Sequence, residues 1–462
     1  MAEKNNLSKN SVTFLGDFFN SLAGQAPTYS IAGGTAYILS TSYASSPLAM
    51  LITLIGILTI VYSVIFLSKK YAHSASFYYY VSNTLGTLPG YINGIIYTIF
   101  YSIIGLGSIS IAFAYLGFEA IYALTGIKIN PLFLLIIPVL LAYIIAYLGI
   151  KPSIRSEYIV SIIEITILLI FIIFSFAYNA KNMSLIPFTL KGTFSSSLIG
   201  KLAAISGGLI FSITYFMGFE VSTQLGEESK EPNKNIPNST FISTLIMGIL
   251  YILSTYAILL NIGYSYNSID NFVSQAQGEG VNPVFLLIRK YLGLFGLTLF
   301  SIITLISVFG CYLATLNATS RMIYGMSKEG LMPSKLKVTH KKFKSPINAL
   351  TVSTLMSIIA IIIFYLISLN SGNLINLTYN AMERAYAIDS LYYVISLALI
   401  SVSSFLISKI IGKIISIIGL AILAITFYYS IINIYYLVAL ILSFILTILA
   451  YFLFKNKYQI KI

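Results

Sequence analysis

From residue 22 onward the chain is a succession of long apolar runs divided by short polar breaks. The runs fall at 22–44, 47–68, 90–118, 131–150, 157–179, 200–225, 239–262, 294–325, 346–369, 384–407, 410–430 and 432–454. Each is long enough, or nearly so, to carry a helix across a hydrocarbon core of ~30 Å, which takes about 20 residues. A transmembrane β-barrel would instead show short segments alternating apolar and polar side chains, and the chain has none. The pattern predicts an all-α integral membrane protein of roughly 12 transmembrane helices. The last two runs are nearly continuous and divide only around Asn433. The residues before the first run are polar (Lys4, Asn5, Asn6, Lys9, Asn10), and no cleavable signal peptide is expected.

Composition agrees, with 58% hydrophobic and 9% charged residues, against about 25% charged in a soluble domain. The net charge of +13 does not signal nucleic acid, because the basic residues sit in alternate connections. Lys69, Lys70, Lys151, Arg155, Lys230, Lys234, Arg321, Lys328 and the run Lys335–Lys344 share one side. Lys128, Lys181, Lys191, Lys201, Arg289, Lys290 and Arg384 are on the other. By the positive-inside bias, both termini are cytoplasmic in a multi-pass cell-membrane protein whose surroundings are the lipid bilayer. Loop 226–237 reads as a solvated cytoplasmic surface with helix-ending prolines. The lone Cys311 is within an apolar run, and His73 and His340 are in polar connections. That leaves no ligand set for a metal, no cofactor site and no catalytic constellation, so an enzyme is not expected.

Two runs carry helix-weakening residues at mid-membrane depth. The first holds Ser30-Ile31-Ala32-Gly33-Gly34-Thr35-Ala36; the sixth holds Ser206-Gly207-Gly208 and Phe216-Met217-Gly218-Phe219-Glu220. Glycine weakens a helix by about 1 kcal/mol relative to alanine, and irregular backbone within a membrane is tolerated only against protein or water. Breaks at corresponding positions of two five-span halves point to a transporter site built from discontinuous helices. The competing reading is that small residues only allow close helix packing.

Gly218-Phe219-Glu220, followed by Glu227-Glu228-Ser229-Lys230-Glu231-Pro232 and Ile236-Pro237, resembles the sixth-span signature of the amino acid–polyamine–cation (APC) permeases. Asn317-Ala318-Thr319-Ser320-Arg321, Gly325–Pro333 and Ser345-Pro346 are similar to the family's eighth span and following loop, and Ser74–Val81 with Leu85-Gly86 to its second-to-third connection. The resemblance implies one transporter domain over 1–462 with a 5+5 inverted-repeat fold (20–180 and 200–407) and two peripheral helices (410–454). It implies secondary active transport of an amino acid, or a related amine, by alternating access between discontinuous first and sixth helices. Ala32, Gly33 and Gly34, with Thr35 beside them, match the turn that binds the substrate carboxylate. The Met217 carbonyl, next to Gly218, matches the receiver of the α-ammonium. Thr214 matches the aromatic gate without being aromatic, which leaves Tyr215, Phe216 and Phe211 as alternatives. Gly117-Phe118-Glu119 repeats the triplet without its continuation and reads as a coincidence at the outer end.

Ionisable residues at membrane depth are functional candidates by default. Glu164 in the fifth span stands about where proton-coupled relatives carry a lysine, and is read either as a proton carrier or cation ligand or, with about equal weight, as a hydrogen-bonded structural acid near the cytoplasmic end. Glu220 either fixes the sixth helix or gates it. Thr315 is a candidate cation ligand. The coupling ion is expected to be a proton, with Na+ the alternative. Glu383, Arg384 and Asp389, near the start of the tenth span, are read as a local Glu–Arg pair or an outer rim in preference to a substrate contact. The site then lacks an acid for a cationic side chain, which favours neutral amino acids; the oligomeric state is not assigned. The amphipathic stretch Asn282–Lys290 is expected to be an outer-surface helix, either covering the extracellular entrance or inert.

Overall fold

The computed structural model describes residues 6–277, 282–431 and 434–458; the expected division at Asn433 and the terminal Lys4 lie outside them. The chain enters the bundle through α1 (Phe14–Gln25) and α2 (Pro27–Ser42), then crosses in α3 (Ser46–Ser68). A shallow pair, α4 (Ser76–Leu85) and α5 (Thr87–Ile95), leads through a π-helical stretch, Ile96–Ile103, into α6 (Ile104–Thr125). The helices α7 (Leu132–Tyr147), α8 (Ile150–Tyr178), α9 (Leu198–Thr214) and α10 (Pro232–Ile262) follow. The short α11 (Tyr266–Gln277) precedes α12 (Pro283–Lys328), which is sharply kinked at Gly293. The chain ends through α13 (Ile347–Ile367), α14 (Leu374–Ile407), α15 (Ile410–Ser430) and α16 (Ile434–Tyr458).

Among the described residues, eight helical stretches are long and apolar enough to cross a membrane, the first of them running through α1–α3. Three shorter apolar helices accompany them, within α7, α9 and α16. Large apolar side chains on the outer faces are exposed, among them Phe133, Ile173, Ile199, Ile363 and Leu453. Water would not tolerate so continuous an apolar surface; lipid does. Inside, α1 packs against α10, α8 and α12, while α14 lies on α6 and α15. Two ends of the bundle can be told apart. One carries the N-terminal segment and the connection between α9 and α10; the other carries α11 and the start of α12.

Several expectations change. Between α1 and α2 the break falls at Ala26, whose φ of 44° is left-handed, and not at Gly33-Gly34, which lie inside α2. Proline explains the shift. Pro27 has no N–H to give and takes the first helical position of α2. The glycines instead make room: a β-carbon on Gly208 would lie 2.9 Å from Ala49, and one on Gly34 would run into the Tyr215 ring. Gly207-Gly208 are likewise helical, within α9. The sixth-span break is where the motif puts it, with helix lost after Thr214 and Gly218 at φ 93°.

Loop 226–237 is not simply solvated. Glu228 and Arg321 are each 1% exposed and form an ion pair, while Arg321 also donates to Asn317 Oδ1 (3.0 Å). Glu227 accepts from Ser74 (2.7 Å) and Lys328 (2.9 Å). The backbone of Ser11 and Val12 pairs with that of Glu228 and Lys230. Pro232 starts α10 and Pro237 lies within it, so neither proline ends a helix.

Candidate functional site

The two helix breaks meet. A β-carbon at Gly218 would lie 2.5 Å from the Gly24 carbonyl carbon, and one at Gly24 would lie 2.6 Å from the Gly218 oxygen. No side chain fits at either position, so the last turn of α1 touches the irregular backbone at Gly218 directly, and glycine at Gly218 also supplies the positive φ. Ser21 of α1 ties the same junction by donating to the Phe219 carbonyl (2.8 Å).

Beside this junction is a cavity of about 50 Å³, lined by Gly24, Gln25, Ala26, Thr214, Met217 and Gly218 from the breaks. Tyr29, Ser30, Cys311, Thr315, Tyr386 and Asp389 are further parts of its wall. A larger cavity of about 800 Å³ shares Tyr29, Ser30, Thr214, Met217 and Tyr386 with it and extends to Val273 of α11 and Asn282 at the start of α12. The wall of this vestibule includes Ala32, Gly33, Gly34, Phe211 and Tyr215.

The first turn of α2 is the positive end of a helix and a natural place for an anion. Here a carboxyl group of the protein takes that place. Glu164, fully buried on α8, accepts from Ser307 Oγ (2.5 Å) and from the Thr28 N–H (3.4 Å), and Ser307 accepts the Tyr29 N–H (3.1 Å). The other oxygen of Glu164 has no protein donor. The carbonyl end of α1 is also engaged, Gln25 accepting from Tyr251 (2.9 Å) and Ser30 (3.0 Å).

Glu220 stands apart from both cavities. Three tyrosines donate to it: Tyr97 (3.0 Å), Tyr101 (3.3 Å) and Tyr393 (2.7 Å). These join the segment after the break to the π-helical stretch and to α14. Thr35 donates to Ile31 O (2.7 Å) and bonds Tyr215 Oη (3.0 Å). Phe216 is fully buried edge-on to Tyr251. Of the aromatic alternatives, Phe211, stacked on Tyr37, and Tyr215 are the two in the vestibule wall. Thr214, Met217, Gly218 and Thr315 line the small cavity, while Ala32, Gly33 and Gly34 present an intact helix to the larger one.

The chief residue missed is Asp389. It is 2% exposed and lines the small cavity, with Oδ2 accepting from Ser108 (2.7 Å). It is no part of an outer rim. Hydropathy started the tenth span at 384, whereas α14 begins at Leu374, so Asp389 is about four turns into the helix. Glu119 of the Gly117-Phe118-Glu119 triplet is buried in the vestibule wall and accepts from Asn282 (3.2 Å), which also donates to Ala32 O (3.1 Å). The stretch from Asn282 is a helix, as expected, and its first residue lines the entrance.

A family model described as amino acid permease matches residues 18–461. The branched-chain amino acid permease BcaP of Bacillus subtilis (strain 168) is 28% identical over 203 residues, covering 43% of this chain and 39% of that protein. A methylthioribose transporter of the same organism is 26% identical over 217 residues, 45% of this chain and 41% of that protein. The chain thus matches about two fifths of the length of these curated relatives. Among solved structures, a manganese transporter of Eremococcus coleocola superposes with a TM-score of 0.57 at 13% identity, covering 98% of this chain and 99% of that one. At that identity the likeness is one of fold.

Proposed function

Because the chain belongs to the amino acid permease family and is a multi-pass membrane transporter rather than an enzyme, we propose that it moves amino acids by secondary active, alternating-access transport. The carrying observation is the junction of two interrupted helices, Gly24 against Gly218, beside a cavity that widens into a vestibule. Backbone groups freed from helices can hold polar solutes where side chains cannot reach. The paired breaks support a 5+5 inverted repeat, 20–180 and 200–407, with 410–454 peripheral, and the distribution of lysine and arginine supports cytoplasmic termini. The vestibule then faces outward. The opposite end is closed by Arg321–Glu228, by Asn20 and Asn317 donating to Glu157 (2.9 and 3.2 Å), and by Ser229 donating to Asp17 (2.5 Å). Glu164, behind the first break with one oxygen unpartnered, supports proton coupling in symport or exchange.

Purified protein in proteoliposomes should take up or exchange members of a panel of labelled amino acids and amines, measured with and without a pH gradient. Failure of uptake, exchange and binding for every member would overturn the reading.

A further inference from the structure

Two residues in the wall of the small cavity each hold a buried oxygen that no protein group answers. Oδ1 of Asp389 receives no protein donor although the residue is buried, and Oε1 of Gln25, also in the wall, receives none. Among the described residues no lysine or arginine pairs with Asp389. The vestibule leading there continues the theme. Its ionisable wall residues are Glu119, Glu383 and Arg384, apart from tyrosines; Glu383 is held by Tyr37 and by Tyr379 (3.0 Å), and Arg384 is turned onto the Ile367 carbonyl. Donors run the other way, since the N–H groups of Thr28 and Tyr29 are engaged by Glu164 and Ser307.

A buried carboxylate with no counter-charge is costly unless something pairs with it. We propose that Asp389 receives a protonated amine of the transported solute, so that the solute is cationic: a basic amino acid or a diamine. An ammonium has three donors and no acceptor. Asp389 Oδ1, Gln25 Oε1 and the hydroxyl groups of the wall are a matching set, and Tyr29 and Tyr386 add aromatic surface suited to a cation. A divalent metal is the poorer fit, because among the described residues no group of three His, Cys, Asp or Glu side chains is assembled. The inference rests on the transporter reading above and replaces the expectation of a neutral solute.

Wild-type proteoliposomes should take up lysine, ornithine or putrescine in preference to leucine and alanine. Asp389→Asn should lower cationic uptake by about 10- to 100-fold, the range set by losing a charge-assisted hydrogen bond, and Asp389→Glu should restore part of it. Putrescine or lysine should raise the melting temperature of the purified wild type but not of Asp389→Asn, a readout independent of transport. Response to lysine but not putrescine assigns a basic amino acid; response to both means that the amine suffices. Uptake of leucine and alanine with no cationic solute carried or bound would sink this inference alone, and silence across the panel would sink the transporter reading as well. Equal loss of every solute in Asp389→Asn, with Asp389→Glu no better, would make the residue structural. Stabilisation by Na+ that depends on Asp389, without any by amines, would also overturn the assignment.

Discussion

Glu329 follows the last turn of α12, beyond the apolar span, with its carboxylate 3.3 Å from His73 Nε2. The hydrogen bond to His73 holds its carboxyl below the usual glutamate value of 4.5, with the charges of His73 and Lys328 assisting and partial burial opposing. A carboxylate with a depressed pKa adds stability above its unfolded pKa and loses it as pH falls through the folded value. Glu329→Gln should therefore melt slightly below wild type at neutral pH, by about 1 °C for so exposed a pair. The gap should close as pH drops below the glutamate range, and melting curves against pH check this. Asp389 shows what hydropathy hides at this scale. A single acid in a polar patch is read as a helix end, and only the observed start of α14 moves it to the cavity.

At the scale of elements, the apolar runs were legible because their length carries the signal, and so was the sixth break, where Gly218 needs a positive φ. The first break was misplaced because glycine pairs suggest flexibility. In a packed bundle they more often permit contact, and Ala26-Pro27 was the stronger sign. The closure between α9, α10 and α12 was legible only as a motif. Its burial is a tertiary property that no local pattern shows. Removing one partner of a buried pair leaves the other charge uncompensated, at about 3–5 kcal/mol. Arg321→Ala should destabilise by that order in thermal or denaturant unfolding. Arg321→Met with Glu228→Leu should recover much of the loss, a double-mutant cycle that separates the pair from its surroundings.

At the scale of the whole molecule, the bundle holds a cavity reaching toward α11 and a hydrogen-bonded closure at the other end. The first helix break, capped by Glu164, lies between them. If Glu164 carries the coupling proton, Glu164→Gln should abolish pH-driven uptake while leaving substrate affinity within about threefold, since the amide oxygen can still accept from Ser307. Flux under a pH gradient, set against equilibrium binding, measures both; unchanged pH-driven flux rejects the role.

Cys311 has its Sγ 3.2 Å from the Gly24 carbonyl and is in the wall of the small cavity. It is also the only cysteine in the chain. The unmodified protein is therefore already its own single-thiol variant. Its rate of alkylation by maleimides of graded size and membrane permeability would report, from either face of a vesicle, when the centre of the bundle becomes accessible.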